Sequence, residues 1–130
     1  MERTRADIAR EAYNRFNDAD VRGIVALLDA DVEIPDVLRG TILRGTEEVQ
    51  RYWEWQFELV DSRILVGEIV EIGEALHIVV HQELRDRESG QLIGGSVAAV
   101  HRMTFRGDRI ASIEYGKVDE IPEPLKERLG

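Results

Sequence analysis

The chain has 130 residues, enough for one domain with a single sizeable core and too few for two ordinary ones. Its 17 Lys and Arg stand against 26 Asp and Glu, and the resulting formal charge of −9 opposes phosphate backbones and anionic lipid, so neither nucleic acid nor membrane is expected as a partner. There is no cysteine, which removes disulfides, thiol nucleophiles and thiolate metal sites, while 43% apolar and 33% charged residues describe a chain that folds.

From Arg3 to Phe16 the residues Ile8, Ala9, Ala12, Tyr13 and Phe16 recur at three- and four-residue spacing, the apolar stripe of a first helix. This stretch alternates charge, and no run in the chain approaches the roughly 18 apolar residues that cross a bilayer, so a cytoplasmic protein is expected. Asn17-Asp18-Ala19-Asp20 interrupts the stripe, and Asp20 can cap a second helix carrying Val21, Ile24, Val25, Leu27 and Leu28. Asp31 to Pro35 reads as a short strand that its proline ends or holds at a sheet edge, followed by a loop from Asp36 to Gly45. Thr46 is the expected cap of a third helix. Glu47 and Glu48 favour its positive end, and Val49, Tyr52, Trp53, Gln56, Phe57 and Val60 share one face. Trp55 lies off that face, either as a contact for a partner or as a ring flattened over its neighbours.

Beyond this the pattern becomes that of strands, at 62 to 72, 75 to 86, 92 to 106 and 109 to 117, rich in Val and Ile. Gly73-Glu74, Glu88-Ser89-Gly90 and Arg106-Gly107-Asp108 supply hairpin turns, so consecutive strands should be antiparallel neighbours. Gly94-Gly95 suggests a bulge, and 119–130 a loose tail after a single domain. Helices followed by antiparallel strands define an α+β class: three helices packed on one face of a strongly curved, mainly antiparallel sheet, a cone with an internal pocket between the layers.

That order, with the segments NDADVRGIVALLDADVEIPD, GTEEVQRYW and HRMTFRGDRIASIEY, resembles the nuclear transport factor 2-like superfamily, whose fold is a cystatin-like α+β roll, and within it the SnoaL-like polyketide cyclases and the related ketosteroid isomerases. Laid on the isomerases, Asp36 falls at the general-base aspartate and His101 at the carboxylic acid that is kept neutral as an oxyanion donor. The isomerases' catalytic tyrosine falls on Ala12, with Tyr13 one residue on and about 100° around the helix. The superfamily holds isomerases, cyclases, dehydratases and non-catalytic binders, so the function has to come from the site.

With His101 turned inward, alternation turns Val97, Ala99, Met103 and Phe105 with it. In LHIVVHQEL two phases are open. The resemblance turns His77, Val79, His81 and Glu83 inward, whereas Leu76, Ile78, Val80 and Leu84 form the more apolar set, and a slip of one residue exchanges them. The resemblance also turns Ile113 and Tyr115 inward, with Trp53 and Phe57 as a roof. His77 and His81 lie about 13 Å apart on a strand, too far to share one metal, and neither a metal nor a cofactor is expected.

The catalytic candidates are therefore Asp36 as base and His101 as donor, in a wall of Tyr13, Phe16, Trp53, Phe57, Val79, His81, Met103 and Tyr115. Such a pair suits cofactor-free enolisation of an apolar, ring-bearing polyketide- or steroid-like substrate by an isomerase or cyclase. A desolvated Asp36 among Ile34, Val37 and Leu38, and a neutral His101 among apolar side chains, would serve that chemistry. Two alternatives remain: a dehydratase using pocket histidines, and a non-catalytic ligand-binding or dimerisation module in which His101 satisfies a buried group. A homodimer through the outer sheet face is expected.

Overall fold

The computed structural model describes residues 3–36, 40–93 and 97–117. Val37, Leu38, the bulge expected at Gly94-Gly95 and the tail expected from 119 fall outside the described residues. Helix α1 (Arg5–Asn17) opens with a capping box: Thr4 accepts from the Asp7 N–H and the Asp7 carboxylate accepts from the Thr4 N–H. Its C-terminus closes with the Asp20 N–H bonded to the Arg15 carbonyl and the Ala19 N–H to that of Phe16, which forces Ala19 to φ 55. Asp20 then caps α2 (Val21–Val25) through the Gly23 N–H, as expected. This helix is shorter than its apolar pattern suggested, because Leu28 already belongs to a strand.

Strand β1 (Leu28–Asp36) turns back as β2 (Thr41–Arg44), a strand inside the stretch whose sequence reads as a loop. With only four residues, β2 carried too little alternation to register. Helix α3 (Thr46–Leu59) is capped by Gly45 at φ 84, not by Thr46, and no side chain caps it. The Gly45 N–H reaches back to the Val32 carbonyl, a close approach at positive φ that suits glycine. Strands β3 (Val60–Ile72), β4 (Ala75–Asp86), β5 (Val97–Arg106) and β6 (Arg109–Lys117) complete the chain.

The six strands form one curved, unclosed sheet in the order β2-β1-β6-β5-β4-β3, antiparallel throughout except where β1 runs parallel to β6. Register shifts between Val66 and Ile69 and between Thr104 and Phe105 mark bulges, the usual means of bending a strand. The three helices lie on the concave side. Ile8, Ala9, Ala12, Val21, Ile24, Val49, Trp53 and Phe57 from the helices pack with Val32, Ile34, Ile78, Val80, Met103 and Ile110 from the sheet in one core. Each fully buried branched side chain there contributes about 1.5–3 kcal/mol of transfer free energy. Asn17 joins the layers: its amide donates to the Ile64 carbonyl and its carbonyl accepts from the Ile64 N–H. Among the described residues no helix is long and apolar enough to cross a membrane.

Candidate functional site

Directly paired residues of neighbouring strands share a face, so the register identifies which residues meet. His101 pairs with Ile78 on β4 and with Tyr115 on β6, and Met103 pairs with Leu76 and Ile113. Ile78, Met103 and Leu76 are buried core residues. His101 therefore points inward, toward the helices, with only 5% of its surface exposed.

The same register corrects the expectation for β4. Leu76, Ile78 and Val80 form the inward set, whereas Val79 is half-buried and His81 exposed on the opposite face. The physical reason is the larger apolar area of the Leu-Ile-Val row, which only this phase removes from water. Val79 and His81 therefore do not line the inner face, and the histidines do not converge. His77 lies with them on the outer face, paired with Arg102.

Helix α1 completes the inner site. The Tyr13 hydroxyl lies 2.8 Å from His101 Nδ1, and the two rings are stacked with centroids 5.8 Å apart. Tyr13, 6% exposed, is the residue of α1 that reaches His101. Tyr115 lies on the other flank, its ring centroid 4.8 Å from that of His101 and tilted by 56°. It is 41% exposed, so the imidazole is separated from the surface on this side by one aromatic ring.

Burial sets the protonation of this group. Desolvation pushes His101 down to about 4 and raises the Tyr13 hydroxyl, so both are neutral near pH 7. Two proton arrangements satisfy their contact. Tyr13 can donate to Nδ1, which leaves Nε2 with its proton as a donor, or Nδ1–H can donate to the Tyr13 oxygen, which leaves Nε2 as a base.

Asp36 continues the inward row of β1 after Val32 and Ile34 and is 1% exposed. Across the hairpin it pairs with Thr41, and its carbonyl accepts from the Gly40 N–H. Its strand runs parallel to β6, with Glu33 beside Ser112. Asp36 and His101 thus lie on one face with β6 between them, their backbones about 10 Å apart by strand spacing. Phe16 packs on Phe57 at 4.9 Å and on Trp53 at 6.2 Å, an aromatic cluster between α1 and α3.

Grooves open on the surface among the described residues. One of about 270 Å³ is lined by Leu43, Glu48, Arg51, Tyr52 and Trp55, another of about 300 Å³ by the charged side chains of Asp61, Arg63, Glu83 and Arg85. Neither borders His101 or Asp36. The first passes Tyr52, a half-buried ring close to Tyr115, whose hydroxyl pKa is raised by burial and then by Tyr52. Sequence reasoning placed Tyr52 on the helix stripe without assigning it to the site; its spacing from Trp55 and Arg51 along one helix flank is the signal that was available. Among the described residues no cluster of His, Asp and Glu is arranged to hold a metal ion.

This arrangement, helices over a bent sheet with polar groups on the concave face, is that of a known family. The profile of the SnoaL-like domain matches residues 9–113, and the chain belongs to that family. No curated protein sequence matches it. Among solved structures it is similar to a nuclear transport factor 2-like protein of unknown function from Burkholderia pseudomallei K96243, with TM-score 0.75 and 21% identity over 98% of both chains. It is similar to SalBIII, an epoxide hydrolase/cyclase-like enzyme of pyran ring formation in the polyether salinomycin, with TM-score 0.74 and 18% identity over 86% of this chain and 88% of that one. A candidate SnoaL-like polyketide cyclase from Shewanella denitrificans OS-217 gives TM-score 0.72 and 14% identity over 85% and 88%. At these identities the likeness is one of fold.

Proposed function

We propose that the protein is a cofactor-independent enzyme that enolises an apolar, ring-bearing carbonyl compound of polyketide or steroid type, with Asp36 as base and His101 as oxyanion donor. The observation that carries this reading is the buried contact of 2.8 Å between the Tyr13 hydroxyl and His101 Nδ1. Tyr13 donates to Nδ1 and so fixes the proton on Nε2, and the neutral imidazole presents that N–H to the substrate carbonyl. The Asp36 carboxylate takes the proton from the adjacent carbon, and the electrons of that C–H bond move into the enolate, whose oxygen rests on Nε2–H. Return of the proton at another carbon is isomerisation; attack of the enolate carbon on a second carbonyl is cyclisation. The two backbones lie roughly 10 Å apart with Tyr115 on the strand between them, so a substrate ring enters only as that side chain turns aside. Substrate reaches the site past Tyr115, and the apolar wall of Ile78, Met103 and Ile113 keeps water from the enolate.

Close packing around His101 favours a second reading, a ligand-binding or dimerisation module in which the imidazole merely satisfies Tyr13. Proton exchange distinguishes the two. The probe is α-deuterated 2-tetralone, followed by NMR with wild type and with Asp36→Asn, His101→Gln and Tyr13→Phe. Loss of exchange is expected in D36N, a decrease of about 100-fold or more in H101Q and a smaller one in Y13F. Exchange no faster than in buffer, or equal in wild type, D36N and H101Q, defeats the enzymatic reading. We further propose that the outer sheet face joins two copies of the chain, on the strength of Leu65, 62% exposed in the middle of β3.

A further inference from the structure

We propose that the groove between α3 and β2 receives the anionic end of the substrate, with Arg51 as its counter-ion and Tyr52 and Trp55 as its apolar walls. This rests on the reading above, that the inner face takes an apolar carbonyl compound, and it adds the substrate's charge and length. Glu48, Arg51, Tyr52 and Trp55 fall at intervals of three, one and three residues along α3, on a flank beside the buried stripe of Val49, Trp53 and Phe57. With Leu43 of β2 they enclose the groove of about 270 Å³.

Of the two charges on its rim, Glu48 is engaged, its Oε2 accepting from the Arg44 N–H at 2.7 Å. Arg51 makes no ion pair or hydrogen bond among the described residues. A planar guanidinium with free donors in a groove also lined by Tyr52 and Trp55, whose ring centroids lie 6.1 Å apart, is suited to a carboxylate or an acidic enol on an aromatic or polyene body. In a chain of net charge −9, an anion meets repulsion over much of the surface, so such a site would also orient it.

Leu43, which lines the groove, belongs to the same inner sheet face as Asp36 and His101. Leu43 pairs with Ile34, and two residues further along the same inward row lies Asp36. From β2 the sheet passes through β1 and β6 to His101 on β5, three strand spacings or about 14 Å. The substrate that meets both ends is elongated, with a carbonyl at His101 and its negative charge at Arg51.

The test is calorimetric titration with 4′-acetylbiphenyl-4-carboxylate, its methyl ester and the corresponding 4′-aminomethyl ketone, using wild type, Arg51→Gln and His101→Gln. The acid should bind wild type about ten-fold tighter than the ester, as one charge-assisted hydrogen-bond pair allows. R51Q should erase this preference and leave ester affinity and melting temperature unchanged, and added salt should weaken the acid alone. An acid preference that survives R51Q, or tighter binding of the amine, overturns the inference. Ester binding that H101Q weakens, without any preference for the acid, overturns it while sparing the catalytic reading. No binding of any of the three probes to wild type overturns both.

Discussion

His77 and His101 lie on adjacent strands, one residue out of line, and differ in nearly everything that matters chemically. His101 faces inward beside Ile78, stacks on Tyr13 and is held neutral by desolvation down to about 4. His77 faces outward beside Arg102 and is only half-buried; desolvation and then the neighbouring guanidinium bias it away from its charged form. His81, four residues further along the same outer face, is exposed. The contrast shows that strand phase, more than residue type, decides which histidine can do chemistry. One face of the sheet from β3 to β6 is the wall of a core, the other a mixed surface of Leu65, Val79, His81, Arg102 and Glu114.

The sharpest way to break this contrast is to place a charge on each face of β4. Val80 is fully buried on the inner row, so Val80→Asp should cost about 4 kcal/mol or more and lower the urea midpoint to the limit of folding. His81→Asp, one residue along, should change stability by no more than about 0.5 kcal/mol. Equal losses in the two variants would mean that both faces of β4 are core.

The next largest effect is a pH dependence that belongs to the inner face. The unfolded chain takes up a proton on His101 near pH 6.5, the folded chain only near 4. Between those values the unfolded state binds more protons, so stability is complete above pH 6.5, declines as the pH falls through this window and levels off below it. The difference corresponds to about 3 kcal/mol. In His101→Gln the slope between pH 6.5 and 5 should flatten, measured by urea denaturation at each pH. Carboxylates such as Asp7 and Asp86 are held low by hydrogen bonds and lose their contribution only at more acid pH, alike in both proteins. An identical slope in wild type and H101Q would show that the imidazole is not desolvated.

Much of this architecture was readable from residue spacing, and the failures have identifiable causes. The stripes of α1 and α3 and the hairpin glycines announced their elements, because each feature repeats within a few residues. The phase of β4 did not follow from the resemblance to known folds, yet the apolar row Leu76, Ile78, Val80 had it right, since burying that row gains more than burying His77, Val79 and His81. Strand β2 was too short to show alternation. The contact between Tyr13 and His101 spans 88 positions of sequence, and whether a helix residue meets a given strand residue depends on how α1 is rotated on the sheet.

The smallest expected effect on stability is also the one that most sharpens the contrast between faces. Leu65 projects from β3 on the outer face, opposite His81, and removing its apolar surface costs the isolated chain almost nothing because that surface is already in water. Leu65→Glu should therefore melt within about 0.5 kcal/mol of wild type. In sedimentation velocity at micromolar concentration, however, wild type should run as a dimer and L65E as the 14.8 kDa monomer, since two copies would have to bury like charges against one another. A wild-type monomer would remove the dimer and leave the outer face a solvated surface. An L65E dimer would move the interface elsewhere on the molecule. Neither result would disturb Tyr13 and His101, because their contact is made within one chain on the opposite side of the sheet.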